Sequence, residues 1–314
     1  MKSHCVELRR ARPLLGTIVD IQARAPNDFT AIRAVEDAFD AVERVHRLMS
    51  FHDPASDVSR LNRDAHKQSV KIDKWTWEVL HVAHKFADES NGAFDITVGR
   101  LLTLWNFLPR LNAGHPERMR GTSRTTNRVI TCEVPRFAQD DRPSWHDIIL
   151  EKGRSVRFHR PLTIDLGGIA KGFAVDCAIN ALKNANARAG LVNAGGDLRV
   201  FGLHEEAVGI RSPLDPNRPA GTITLRNRAI ATSAIYFSRK KSGGKTRSAL
   251  INGQTQQPFI DNVSVTVAAD DCMTADALTK IVFVLRDLVG PILIHHAADA
   301  VILERDSPPR WFSP

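Results

Sequence analysis

Tyrosine occurs once in this chain and cysteine four times, against 14 phenylalanines and 5 tryptophans. The aromatic share is 6%, and no aromatic-rich strand offers the stacking platform on which nucleic-acid bases are held. Cys5, Cys132, Cys177 and Cys272 lie scattered without a C-x-x-C pair. That argues against thiolate metal binding and a disulfide framework, and reduced thiols fit a cytoplasm. No run of about 18 apolar residues exists to cross a membrane; the nearest stretch, 281–294, is broken by Arg286, Asp287, Gly290 and Pro291. The opening MKSHCVELRRARPLLG has no apolar segment before its basic cluster, so it reads as neither a secretory nor a lipoprotein leader, and a soluble cytoplasmic protein is expected. Also missing are a short-period repeat, a Walker A loop, a G-x-G-x-x-G fingerprint, a metalloprotease signature and a readable Ser-His-Asp order.

What remains is a globular composition. The 314 residues are 43% hydrophobic and 25% charged, enough for a sizeable core and one to two domains. The net charge of +8 favours anionic partners, an anionic small ligand equally with nucleic acid, or is merely solubilising, and the scarcity of aromatics argues mildly against nucleic acid.

Alternation over 16–23 predicts a strand, and apolar residues Ile32, Val35, Phe39, Val42, Val45 and Leu48 predict an amphipathic helix over 31–49. Ser56 and Asp57 are positioned to cap a following helix, and 75–89 predicts another, stopped near Asn91 and Gly92. Residues 108–144 are rich in Arg, Pro, Gly, Thr and Asn and read as a long surface excursion. Beyond it the pattern predicts strands at 162–164, 190–192, 198–201, 221–225, 229–232, 263–268 and 300–303, with helices at 174–182 and 274–285. The class is α/β in the broad sense, or α+β: mixed sheets flanked by helices.

Five segments carry possible chemistry. Asp165-Leu-Gly-Gly-Ile-Ala-Lys-Gly172 delivers a strand into a glycine pair and a helix start. Glycines let backbone approach a phosphate, the helix N-terminus offers N–H groups and a positive dipole end, and Lys171 adds a cation. A tight strand-to-helix turn would use the same residues. Asn193-Ala-Gly-Gly-Asp197 is a second Gly-Gly turn at a strand end, as a hairpin also has. Phe94-Asp-Ile-Thr-Val-Gly99 presents Asp95 as helix cap or ligand group. Met49-Ser-Phe-His-Asp-Pro54, followed by Ser56, Ser59 and Asn62, forms a polar loop. Met273 to Lys280 sets Asp276, Thr279 and Lys280 on one helix face, as a hard-cation ligand set or an i,i+4 ion pair. His81 and His84 share a helix face without an evident third ligand, and His295 and His296 point in two directions if extended, so both pairs read as structural.

In this order, LLGT, MSFHDPASDVSRLN, FDITVGRLLTLW, DLGGIAKGFAVD, LVNAGGDLRV, IATS and ADAL resemble the ApbE family of FAD:protein FMN transferases, from about Leu14 to Leu285 without the excursion. The resemblance implies one ApbE-like domain over 1–314, its core about 14–305, with a ligand cleft between two lobes. It implies that FAD is the substrate and that FMN passes to a Ser or Thr hydroxyl of an acceptor, a redox protein, with release of AMP and assistance from Mg²⁺. It further implies that His52, Ala93, Phe94, Asp95, Asp165, Lys171 and Ile251 contact FAD. Gly168, through its carbonyl, and Asp276 would hold Mg²⁺, and Asp165 or Asp276 would be the catalytic base. No nucleic acid and no membrane insertion are implied. Retention of FAD without turnover, or its hydrolysis to FMN and AMP, is the alternative.

Two departures stand out. Lys280 occupies the place of a family Thr that helps bind Mg²⁺, and an ammonium has no lone pair to offer a metal. Metal binding is therefore expected to be weakened or rearranged, with Thr279 able to compensate only if the helix rotates slightly. Ser248-Ala-Leu-Ile-Asn-Gly-Gln-Thr255 lacks the His, Asp, Pro and Arg of its family counterpart, leaving Ile251 as an apolar contact.

Overall fold

Residues 5–109, 142–202, 205–213, 219–235, 239–242, 244–305 and 307–313 are described by the computed structural model. Cys132 and most of the excursion expected at 108–144 lie outside them. The elements are β1 (Val6–Leu14), β2 (Thr17–Ala25), α1 (Asp28–Met49), α2 (Asp57–Asp64), β3 (Val70–Lys71), α3 (Lys74–Glu89), α4 (Gly99–Leu104), β4 (Ile148–Glu151), β5 (Ser155–Phe158), α5 (Ala170–Asn184), β6 (Ala189–Ala194) and β7 (Asp197–Phe201). They continue as β8 (Glu206–Arg211), β9 (Pro219–Leu225), β10 (Ala229–Ala234), β11 (Lys240–Ser242), β12 (Lys245–Arg247), β13 (Val263–Ala269), α6 (Cys272–Leu285), α7 (Gly290–His295), β14 (Asp299–Glu304) and β15 (Arg310–Phe312).

Eight strands form one sheet in the order β1-β2-β6-β7-β10-β13-β14-β15, every neighbouring pair antiparallel. The α+β class expected from the pattern is the class observed. Strand β13 is buried along its whole length, as a central strand covered on both faces must be. Helix α6 packs on β10 and β13, α5 on α1 and α6, and α1 on β1 and β2. The apolar stripe of α1, from Ala31 to Met49, faces this layer. Three shorter strands pair as β3-β5-β4.

The sequence pattern differs from the structure at three points that matter. Residues 162–164 form no strand: the Ile164 N–H donates to Asn62 Oδ1 (2.8 Å), and Asn62 Nδ2 donates to the Ile164 carbonyl (3.0 Å). A side-chain amide from α2 thus supplies what a neighbouring strand would. Helix α5 begins at Ala170, four residues earlier than its apolar period suggests. Strand β1, Val-Glu-Leu-Arg-Arg-Ala-Arg-Pro-Leu, was hidden by its charge. As an edge strand it carries Arg9 and Arg10 in ion pairs and tolerates Pro13.

The starts of α5 and α6 are pressed together. A Cβ on Gly172 would overlap the Cys272 carbonyl, so only glycine allows this approach. Each helix then lends the other a carboxylate. Asp176 of α5 accepts the N–H groups of Cys272 (2.9 Å) and Met273 (2.8 Å) at the start of α6. Asp276 of α6 accepts the Gly172 N–H (3.2 Å) in the first turn of α5. Both contacts satisfy N–H groups that a helix start leaves open and set negative charge at its positive end. Arg199 of β7 closes the arrangement on Asp176 Oδ1 at 2.6 Å.

Asp176→Ala is expected to lower the unfolding free energy by about 3 kcal/mol, because Arg199 loses its buried partner and two helix N–H groups their acceptor. Urea denaturation followed by circular dichroism measures this, and a loss below about 0.5 kcal/mol would show that the clamp does not support the fold.

Candidate functional site

The segment from Asp165 to Gly172 crosses from the Asn62-pinned chain into α5. The Asp165 N–H donates to the Ile96 carbonyl (2.9 Å), tying this segment to the one that carries Phe94 and Asp95. Asp165 Oδ2 accepts the Gly167 N–H at 3.1 Å, a local turn that bends the chain toward the helix. Ile169, at the N-cap of α5, has no side chain able to cap, so the positive helix end is left to the charged side chains around it.

Those charges come from four side chains. Lys171 Nζ hydrogen-bonds Asp197 Oδ2 and lies 3.8 Å from Asp276 Oδ2. Lys280 Nζ pairs with Asp276 Oδ1 and donates to the Asp276 carbonyl at 2.9 Å. Asp197 and Asp276 are only 2% and 1% exposed, so each ammonium neutralises a carboxylate that could not otherwise stay ionised inside. Burial works against the charge of Lys171, but the fields of Asp197 and Asp276 outweigh it and raise its pKa. Burial, and then the charge of Asp276, raise the pKa of Asp197 against the pull of Lys171 and Lys280. Burial also raises the pKa of the Cys272 thiol well above its usual value, which keeps it protonated.

Thr279 is directed elsewhere. Its hydroxyl lies 2.7 Å from the Asp276 carbonyl and 2.7 Å from Ser233 Oγ on β10, and the residue is fully buried. The compensation expected of it would require breaking that pair.

The opposite wall is built from 91–95 and 249–256. A Cβ on Gly168 would stand 3.5 Å from Phe94 Cε2 and 3.5 Å from Lys280 Cε, so the glycine pair faces both. The Phe94 N–H is held by Ser90 Oγ at 3.1 Å. Asp95 Oδ1 caps a 3-10 turn at Ile96–Val98 through the Thr97 N–H (2.8 Å), and burial pushes its carboxyl up to about 7. A side chain on Gly253 would overlap the carbonyl of Gly92 and crowd that of Ala93, and Gln254 Nε2 donates to the Asn91 carbonyl at 3.1 Å. The altered 249–256 segment is therefore fastened to the 91–95 wall by the close approach of Gly253 and by the Gln254 side-chain amide on the Asn91 carbonyl, contacts that need neither the missing His nor Arg. Ile251 sits in an apolar cluster with Leu101, Leu102 and Trp105 behind that wall.

His52 is exposed at the end of α1, with its charge close enough to act on Asp165. Burial raises the Asp165 carboxyl above its ordinary value, while the Gly167 N–H and His52 both lower it. Asp165, Gly168, Lys171, Phe94 and Asp276 thus share one neighbourhood, with Ala93 and Asp95 in its wall. Two contributors were not singled out from sequence. Asp197 was visible only as the end of a GGD turn, and Asp176 only as one charge in an otherwise apolar helix. A cavity of about 400 Å³ lies at the far end of α5, beside Arg33, Asp37 and Asn184, about 20 Å along the helix from Lys171 and remote from this cluster.

Comparison with known proteins identifies the family of the chain. The model of the ApbE family matches residues 15–302. A protein of Vibrio cholerae named FAD:protein FMN transferase is 27% identical over 285 residues, covering 88% of this chain and 81% of its own. A Haemophilus influenzae protein of the same name is 28% identical over 251 residues, covering 77% and 70%. The crystal structure of the ApbE protein from Thermotoga maritima superposes with a TM-score of 0.78 at 27% identity, over 98% of this chain and 97% of that one. The flavin transferase ApbE from Vibrio cholerae shares the fold, with a TM-score of 0.77 at 23% identity over 99% and 97% of the two chains. With the family model spanning nearly the whole described fold, from β2 to β14, the chain belongs to the ApbE family.

Proposed function

We propose that this chain transfers the FMN moiety of FAD to a Ser or Thr hydroxyl of an acceptor protein, a redox protein, and releases AMP. The observation that carries this reading is the meeting of the α5 N-terminus, Lys171 and Lys280 beside the glycine pair Gly167-Gly168. Backbone N–H groups, a helix dipole and two ammonium ions suit a pyrophosphate. The names of the relatives support the choice of FAD, since they are FAD:protein FMN transferases.

The reaction needs alignment and charge neutralisation more than covalent help from the protein. The acceptor oxygen forms a bond to the phosphorus of the FMN half, the bond from that phosphorus to the bridging oxygen breaks, and AMP leaves with the bridging oxygen. The hydroxyl proton passes to a base. Asp165 suits that role better than Asp276: it is partly exposed, it carries no ion pair among the described residues, and burial raises its basicity. Asp276 is bound on both oxygens, by Lys280 on one and by the Gly172 N–H on the other. Phe94 and His52, with the backbone of Ala93 and Asp95, are proposed to receive the flavin half of FAD, Ile251 supporting them from behind.

The resemblance also implies Mg²⁺ between Gly168 and Asp276. The residues present do not fit a dication there. The Asp276 carboxylate is already neutralised by Lys280, Lys171 stands 3.8 Å from its other oxygen, and Thr279 is turned into the core. We propose instead that the Lys280 ammonium supplies the positive charge at this point, a single charge fixed to the protein.

Incubation of the protein with FAD and a polypeptide bearing an acceptor Thr is expected to yield covalent flavin fluorescence on the polypeptide and one AMP per flavin. Free FMN with AMP would mean hydrolysis, and unchanged bound FAD would mean retention; either outcome refutes transfer. Asp165→Asn is expected to slow transfer by about 10²–10⁴-fold, the usual share of a general base. The wild-type rate should fall as pH drops through the Asp165 pKa, because only the ionised carboxylate accepts the proton, and that limb should lie above the ordinary aspartate range. A pH–rate profile without an acid limb would exclude Asp165 as the base.

FAD affinity of the wild type is expected to change little between EDTA and millimolar Mg²⁺, whereas Lys280→Thr should bind FAD more weakly in EDTA and recover with Mg²⁺. Equal Mg²⁺ responses of the two proteins, read by quenching of flavin fluorescence, would refute the role given to Lys280.

A further inference from the structure

Outside this cluster, the end of α3 meets the end of α7. Glu89 is the last residue of α3, His295 the last of α7, and His296 its C-cap. His296 Nε2 lies 2.8 Å from Glu89 Oε2, and His295 Nε2 lies 3.7 Å from Glu89 Oε1. One donor atom from each residue falls within 4.8 Å of the others. Adjacent residues in an extended chain would point apart, which is why the sequence suggested no shared ligand. Here the helix ends between them, the two rings stand nearly perpendicular with centroids 4.8 Å apart, and both reach the same carboxylate.

We propose that Glu89, His295 and His296 form a binding site for a single Zn²⁺ ion. Two imidazole nitrogens and one carboxylate oxygen are a recurrent zinc ligand set, with a fourth position left to water. Bonds of about 2.1 Å in a tetrahedron place ligand atoms about 3.4 Å apart, so small side-chain movements suffice. The site is partly preorganised. The ring of Phe86, one turn before Glu89, packs on His296 with centroids 4.9 Å apart, and the His296 side chain is only 13% exposed. Glu89 turns one carboxylate oxygen toward each ring, Oε2 toward His296 and Oε1 toward His295. Lys85 Nζ, 3.5 Å from Glu89 Oε1, is the one competing cation among the described residues within ion-pair reach of this carboxylate, and at 57% exposure it is free to swing into solvent. His295 is 63% exposed, leaving the fourth position open to water.

The position gives the ion a consequence. Ser90, next in the chain, holds the Phe94 N–H, so a metal on Glu89 fixes the point from which the 91–95 wall departs. This proposal does not depend on flavin transfer, and its test reads binding alone. Zn²⁺ titrated into chelator-stripped protein, followed by calorimetry, is expected to show one equivalent and a rise in melting temperature. Co²⁺ in its place should give the visible absorption of tetrahedral nitrogen and oxygen coordination. His295→Ala, at an exposed position where folding is not at risk, and Glu89→Gln should each weaken Zn²⁺ binding by about tenfold or more, with circular dichroism confirming the fold. Absence of a bound equivalent in the wild type, or wild-type affinity in His295→Ala and Glu89→Gln, would overturn the proposal.

Discussion

The close contact between the first turns of α5 and α6 sets the terms for everything around it. Gly172 permits the approach, and the exchange of Asp176 and Asp276 between the two helix starts makes it favourable. Each carboxylate satisfies N–H groups that a helix cannot satisfy itself, and each opposes a positive dipole end. Two positive helix ends would otherwise repel at this distance. Because α6 lies on β10 and β13 and α5 on β6, β7 and α1, the same contact ties together two helices of the layer that covers the sheet.

From that contact follows the charge pattern of the site. Once Asp276 is buried at the crossing, it needs a cation, and so does Asp197 at the start of β7. Lys171 and Lys280 provide two, leaving the cluster formally neutral while both ammonium groups remain beside the glycine pair. An incoming pyrophosphate would find cations already desolvated and fixed, which is the condition under which they act most strongly on developing charge. The same neutrality makes an added dication costly.

Much of this was legible in the residues. The alternating and 3.6-residue periods placed α1, α3, α6 and most central strands within a few residues, because one buried face imposes a fixed spacing. The Asp165–Gly172 segment announced a phosphate option through its glycines and lysine. Hidden features share one cause: their partners lie far along the chain. Residues 162–164 look like a strand, since apolar residues in extended form do, yet their backbone bonds go to Asn62, 102 positions away. Strand β1 reads only as a basic cluster because its salt-bridge partners, Asp20 and Glu36, lie on other elements. Ile251 has the character of a contact residue but is enclosed with Leu101, Leu102 and Trp105.

The sequence by itself determined the class of fold, the order of its motifs, the glycine positions at which backbone comes close, and the replacement of a hydroxyl by an ammonium at Lys280. These are properties of local spacing and side-chain chemistry, readable one window at a time. Only the tertiary structure decided which charge neutralises which. It gave Asp197 to Lys171 and Asp176 to Arg199, turned Thr279 toward Ser233, and brought His295 and His296 together on Glu89. Pairings of this kind depend on separations of a few ångströms between residues tens to hundreds of positions apart, and Coulomb and hydrogen-bond energies change steeply over those distances.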